Sequence, residues 1–166
     1  NFDFISFPDF GKKNLKNKVL RPIEYAGLPR GCSLFDRGNE EEHLLCFPYH
    51  SYEPVVQFFE QAAKDPAVSS IKITQYRVSK KSRIMDALKL AANEGKNVFV
   101  FIEVKARFDE ANNLAWGEEL EKAGVKVRYS FPGLKVHSKT ALVTRKEGDE
   151  TVHYAYLSTG NFHEQT

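Results

Sequence analysis

The sequence predicts an α/β domain with a mixed, largely parallel sheet, flanking helices and a C-terminal hairpin. Three observations predict it. From about residue 43, short apolar runs alternate with stretches of helical periodicity, the pattern of right-handed βαβ crossovers. Near the end, residues 140–145 and 152–157 read as strands on either side of the polar Lys146-Glu147-Gly148-Asp149-Glu150, which makes a hairpin. The 166 residues are 42% hydrophobic and 13% aromatic, enough for one main domain with its own core.

Residues 1–40 contain Pro8, Pro22 and Pro29 with Gly11, Gly27, Gly31 and Gly38, and show no sustained periodicity. They read as an extended connector from a preceding domain, anchored by Phe2, Phe4, Phe7, Phe10 and Tyr25. Residues 41–166 form the domain proper. Residues 44–47 suggest a short strand in which Cys46 is a buried thiol. Ser51 is placed to cap a helix that buries Val55, Val56, Phe58, Phe59, Ala62 and Ala63, and Asp65-Pro66 ends it. Residues 71–76 alternate like a strand. Ser82 opens a second helix with Ile84, Met85, Leu88 and Ala92 inward, and Gly95 closes it. Residues 98–102 read as a fully buried strand. A third helix buries Leu114, Trp116 and Leu120, stops at Gly124, and leads into a strand over 125–129.

The 24 basic and 22 acidic residues leave a net charge of +2, which argues against a general nucleic-acid or membrane binder. Any basic site is local. No run approaches the ~20 apolar residues of a membrane span, and no leader-like segment opens the chain. A soluble cytoplasmic protein is expected. Cys32 and Cys46 form no disulfide framework, and His43, Cys46 and His50 offer three metal ligands with no obvious fourth. The chain starts at Asn1 without a methionine and stops at Thr166 after a polar Gly-Asn segment, so it reads as a fragment of something larger.

Unusual residues collect where the strands end, the place at which open parallel sheets bind ligands. Tyr76-Arg77 follows one strand, Glu103-Val104-Lys105-Ala106-Arg107-Phe108-Asp109-Glu110 the next, and Gly133-Leu134-Lys135-Val136-His137-Ser138-Lys139 the third. If that last stretch is extended, Lys135, His137 and Lys139 share one face, with Leu134, Val136 and Ala141 turned to the core. Three potential cations together suit an anion, and a phosphate is the obvious one. Two arginine forks, Arg77 and Arg107, with two lysines would cage several phosphate oxygens. Each residue also has an ordinary reading. The lysine-rich stretch reads equally as a solvated strand face, Arg77 as a surface charge, and Arg107 as the partner of Asp109 or Glu110. The convergence of three loops favours the phosphate.

Those three stretches, with Ile71-Lys72-Ile73-Thr74-Gln75 before Tyr76 and with Ser158-Thr159-Gly160-Asn161-Phe162, resemble bacterial polyphosphate kinase of the large multidomain type. The resemblance runs in order over residues 20–166. It implies the first of that enzyme's two C-terminal catalytic domains, similar in fold to phospholipase D. His137 would be the histidine that becomes phosphorylated, with Lys135 and Lys139 as phosphate contacts and Lys139 assisting catalysis. Arg77 and Arg107 match positions the family associates with Mg²⁺. An arginine has no lone pair to give a metal, so both are expected to act on phosphate beside a Mg²⁺ held by phosphate oxygens. Asn161 is expected to orient the histidine or a phosphate. The resemblance further implies ATP, ADP and inorganic polyphosphate as substrates. N-terminal, helical and second C-terminal domains of the same chain, and a homo-oligomer at full length, are implied as partners. The fragment alone is then expected to bind polyphosphate without synthesising it.

Two other classes remain open at this point, a phospholipase-D-like phosphodiesterase or nuclease and a non-catalytic polyanion-binding module. Thr144 stands where the phospholipase D pattern would place an aspartate, which lowers the diesterase reading.

Overall fold

A helix over Leu34–Glu40 (α1) and another over Glu53–Lys64 (α2) precede the first strand, Val68–Gln75 (β1). Then follow Arg83–Asn93 (α3), Asn97–Ile102 (β2), Glu110–Lys122 (α4) and Lys126–Tyr129 (β3), and the hairpin of Lys139–Glu147 (β4) and Glu150–Ser158 (β5). The computed structural model describes residues 11–12, 20–106 and 109–164. Phe2, Phe4, Phe7, Phe10, Arg107 and Phe108 lie outside the described residues.

The strands form one sheet in the order β3-β2-β1-β4-β5. It is mixed: β1–β2 and β2–β3 are parallel, while β1–β4 and β4–β5 are antiparallel. The order changes direction at β1, which has β2 on one side and β4 on the other. The ends of β1, β2 and β3 therefore open towards the segment that leads into β4.

Register explains which face is dry. Ile71, Ile73 and Gln75 of β1 lie level with Val98, Val100 and Ile102 of β2, and Ile71 and Ile73 also lie level with Val143 and Ala141 of β4. These positions join Val55, Phe59, Ile84, Leu88, Trp116 and Leu120 from the helices in one buried cluster. The opposite face carries Lys72, Phe99, Phe101 and Leu157, all half-buried or exposed. The expectation of a fully buried β2 is corrected on this point, because the helices cover only one side of it.

Local expectations fared unevenly. Ser82 caps α3 by accepting the Met85 N–H, and Gly95 leaves that helix at φ +81°, a left-handed conformation open to glycine. Ser51 accepts the Glu53 N–H at the start of α2, although Tyr52 holds the cap position. Residues 44–47 form no strand, since no neighbour pairs with them; Leu44 is 86% exposed and Cys46 is exposed too. In α4 the inward residue is Asn113 rather than Leu114, which is 43% exposed. Within the stretch read as a connector, α1 sends Leu34 and Phe35 into the core.

Two predictions follow from the packing. Phe59 is fully buried and meets Phe58 and Phe162 edge-on at 5.4 and 5.5 Å, so Phe59→Ala should lower unfolding free energy by about 3–5 kcal/mol in chemical denaturation. The second concerns acid. Burial pulls the Asp65 carboxyl upward, but the Arg145 guanidinium at 2.8 Å and the Ala67 N–H outweigh it and hold it below its ordinary value. A carboxylate so depressed stabilises the fold above its unfolded pKa of about 4 and stops doing so as pH falls through the folded value. Thermal midpoints should hold between about pH 7 and 5 and fall below about pH 4, and Arg145→Met should shrink that acid-dependent loss.

Candidate functional site

The segment Gly133-Leu134-Lys135-Val136-His137-Ser138 is a loop, and β4 begins only at Lys139, where pairing with Ser158 starts. Gly133, at φ +82°, sits in a turn closed by Leu134 N–H on the Phe131 carbonyl. The expected single face of three cations is therefore corrected. Lys135 and His137 are exposed, Leu134 is 60% exposed, and Lys139 is only 3% exposed because it shares the helix-covered face with Ala141 and Val143. Leu134 has no core beneath it to fill.

The chemistry nevertheless converges. Lys139 Nζ lies 3.1 Å from His137 Nε2, close enough to donate to that nitrogen. Both groups meet the ring of Tyr76, at the exit of β1. His137 packs edge-on to it with centroids 4.9 Å apart, and Lys139 and Lys135 place their ammonium groups 4.8 and 5.4 Å from its centroid. Thr74 fixes the backbone on both sides of Lys139: its hydroxyl donates to the Ser138 carbonyl and accepts the Thr140 N–H. Burial, aided by the Arg77 charge and opposed by Tyr76, lowers the pKa of the Lys139 ammonium.

Arg77 is half-buried and pairs through Nε with Asp109 at 3.0 Å. Its loop is held by donors from α4: Asn112 to the Val78 carbonyl, Asn113 to the carbonyls of Tyr76 and Glu103, and the Trp116 indole to Ser79. Trp116 thus belongs to the core, as its spacing suggests, and also positions the loop. Asp109 pairs with Arg77, while Arg107, the other partner proposed for it, lies outside the described residues. Asn161 is joined to Tyr52, whose hydroxyl donates to the Asn161 carbonyl, rather than to His137. Its buried Oδ1 has no hydrogen-bond partner among the described residues. Glu164 ties this last segment to α3 by accepting from Ser79, Ser82 and the Ile84 N–H.

The structure thus brings together His137, Lys139, Lys135 and Tyr76, with Arg77 nearby. Sequence reasoning missed Tyr76 as the platform for the lysines, and Asp109 and Glu164 as anchors. The adjacent Asn112-Asn113 inside an apolar helical pattern was a signal, since buried amides are there to satisfy something.

Comparison with known proteins covers the same stretch of chain. The family model for polyphosphate kinase C-terminal domain 1 matches residues 33–166. The chain is 48% identical to the polyphosphate kinase of Vibrio cholerae over 164 residues, and 47% identical to that of Escherichia coli K12 over 166. Each match takes in 99% of this chain but only 23% and 24% of the relative, so the chain spans about a quarter of their length. The crystal structure of polyphosphate kinase from Porphyromonas gingivalis superposes with a TM-score of 0.77 at 42% identity, covering 96% of this chain and 27% of that one. The chain belongs to the family of polyphosphate kinase C-terminal domain 1.

Proposed function

We propose that this chain is the phosphoryl-accepting part of an ATP:polyphosphate phosphotransferase, with His137 as the covalent carrier. The contact between His137 Nε2 and the buried ammonium of Lys139 carries the reading. An imidazole nitrogen that accepts a hydrogen bond is unprotonated, so its lone pair is available once the donor moves to an incoming phosphate oxygen. Nε2 would then attack the terminal phosphorus of ATP in line: an N–P bond forms, the P–O bond to ADP breaks, and ADP leaves with the electron pair. A terminal oxygen of polyphosphate attacks the same phosphorus in the second step and restores the imidazole. Reversal makes ATP.

The remaining residues supply position and charge, which is most of what phosphoryl transfer asks of a protein. Lys139, its ammonium disfavoured by burial, gains most from an arriving oxyanion. Lys135 and Arg77 would hold non-bridging oxygens, and Arg107, outside the described residues, is assigned the same part by the family resemblance. Asn161, held at its main-chain carbonyl by Tyr52, would use its side-chain amide to orient the histidine or a phosphate. Mg²⁺ does not fit as a protein-held ion here, because Arg77, Lys135 and Lys139 offer no lone pairs and the Asp109 carboxylate is taken by Arg77. Magnesium would instead arrive bound to the phosphates of ATP. Partner domains of the same polypeptide, assembly into a homo-oligomer and a cytoplasmic location belong to this proposal. No helix among the described residues is long and apolar enough to cross a membrane.

A diesterase reading receives no support at position 144, where Thr144 shares a hydrogen bond with His153 at 3.2 Å and no carboxylate stands. In the complete kinase carrying this chain, γ-labelled ATP should place an acid-labile, base-stable label on the protein, and His137→Ala should abolish it; full labelling of the variant would remove the proposal. Arg77→Lys keeps the charge but loses the planar fork. It should cut turnover by about tenfold to a hundredfold with little change in melting temperature, whereas loss through unfolding would make Arg77 structural.

A further inference from the structure

Glu103 stands at the end of β2, is 1% exposed, and forms no ion pair among the described residues. A carboxylate this deep needs donors, and it has three. Its Oε2 accepts the Val136 N–H at 2.8 Å, while Oε1 accepts the Lys105 N–H and the Ser130 hydroxyl, both at 2.9 Å. Val136 is the residue immediately before His137, and Lys105 opens the loop after β2. Ser130, just past β3, is itself fixed by accepting the Val104 N–H. Burial acts to raise the Glu103 pKa, but these donors and the Lys135 charge outweigh it, so the group is held ionised.

We propose that Glu103 is the positioning residue of the histidine loop: one buried carboxylate fixes the peptide before His137 relative to β2 and β3, and so sets where the imidazole meets the phosphate. This rests on His137 being the phosphoryl carrier. Among the described residues, the backbone of the loop has few other restraints. Between the turn at 131–134 and the Thr74 contacts at Ser138, the Val136 N–H is its hydrogen bond to the body of the sheet, and His137 and Lys135 are exposed on either side. An ionised carboxylate suits three converging donors because it only accepts. A glutamine of the same shape turns an NH₂ towards at least one backbone N–H. Nothing in the contacts of Glu103 requires it to touch a substrate, which separates its role from those of Lys139 and Arg77.

The test compares Glu103→Gln, Val136→Pro and the double variant in the complete kinase, with Ser130→Ala as a control that removes a Glu103 partner away from the loop. Single-turnover phosphorylation by labelled ATP should slow about tenfold to a hundredfold in Glu103→Gln, with KM for ATP within about twofold. Ser130→Ala should lower the melting temperature comparably while slowing phosphorylation less than about threefold. Val136→Pro deletes the same hydrogen bond from its other end, so the double variant should be no slower than the worse single. Wild-type phosphorylation in folded Glu103→Gln, equal slowing in Ser130→Ala, or additive losses in the double variant would overturn the proposal. If Glu103→Gln does not fold, Val136→Pro decides, and wild-type phosphorylation there overturns it as well. His137→Ala run in parallel keeps the two claims apart: if it still takes label, the carrier has been misassigned, whatever the Glu103 variants do.

Discussion

A buried ammonium at the first residue of β4 is the constraint on which the site depends. Lys139 lies on the helix-covered face of the sheet, where a lone cation is costly, and its partners among the described residues are the His137 nitrogen and the Tyr76 ring. Neither is a carboxylate. The group is therefore suited to receive an anion, and on the proposed reading the exposed imidazole beside it is the nucleophile that such an anion would meet. Because β4 pairs with β1, the lysine is delivered next to the exit of β1, where Tyr76 and Arg77 leave the sheet.

Around this point the interior changes character. The middle of the sheet is dry, with Ile71, Ile73, Val98, Val100 and Val143 packed under the helices, whereas Gln75, Glu103 and Lys139 are buried at the strand ends and Asn113 of α4 reaches in to them. Side-chain amides and a carboxylate there do what water would do on a surface: they satisfy the carbonyls and N–H groups of loops that must hold still. α4 illustrates the division, since Trp116 and Leu120 belong to the core while Asn112 and Asn113 hold the Arg77 loop. Gln75 Oε1 and Asn113 Oδ1 are nevertheless buried without a hydrogen-bond partner among the described residues.

Most of the elements were legible in the sequence because their signals are local. The Ser82 cap, the Asp65-Pro66 stop, the glycines after α3 and α4 and the hairpin around Gly148 each act within a few residues. Expectations failed where tertiary structure decides. Residues 44–47 have strand composition but no partner. Alternation in 133–139 was read as a strand, but the turn at Gly133 and the absence of a pairing neighbour leave it a loop up to Lys139. The candidate residues His137, Lys139 and Arg77 stand out by residue type and order along the chain, but Tyr76, Asp109 and Glu103 owe their contacts to three-dimensional neighbours that no spacing announces.

The proposed function places the chemistry on one atom, since His137 Nε2 is the nitrogen that faces Lys139. Phosphorus NMR of the kinase trapped after reaction with ATP, combined with peptide mapping under alkaline conditions, tests this most directly. The account predicts one phosphorylated site in this chain, His137, substituted at Nε2. A phosphoryl group on Nδ1 or on any other residue of the chain would contradict it.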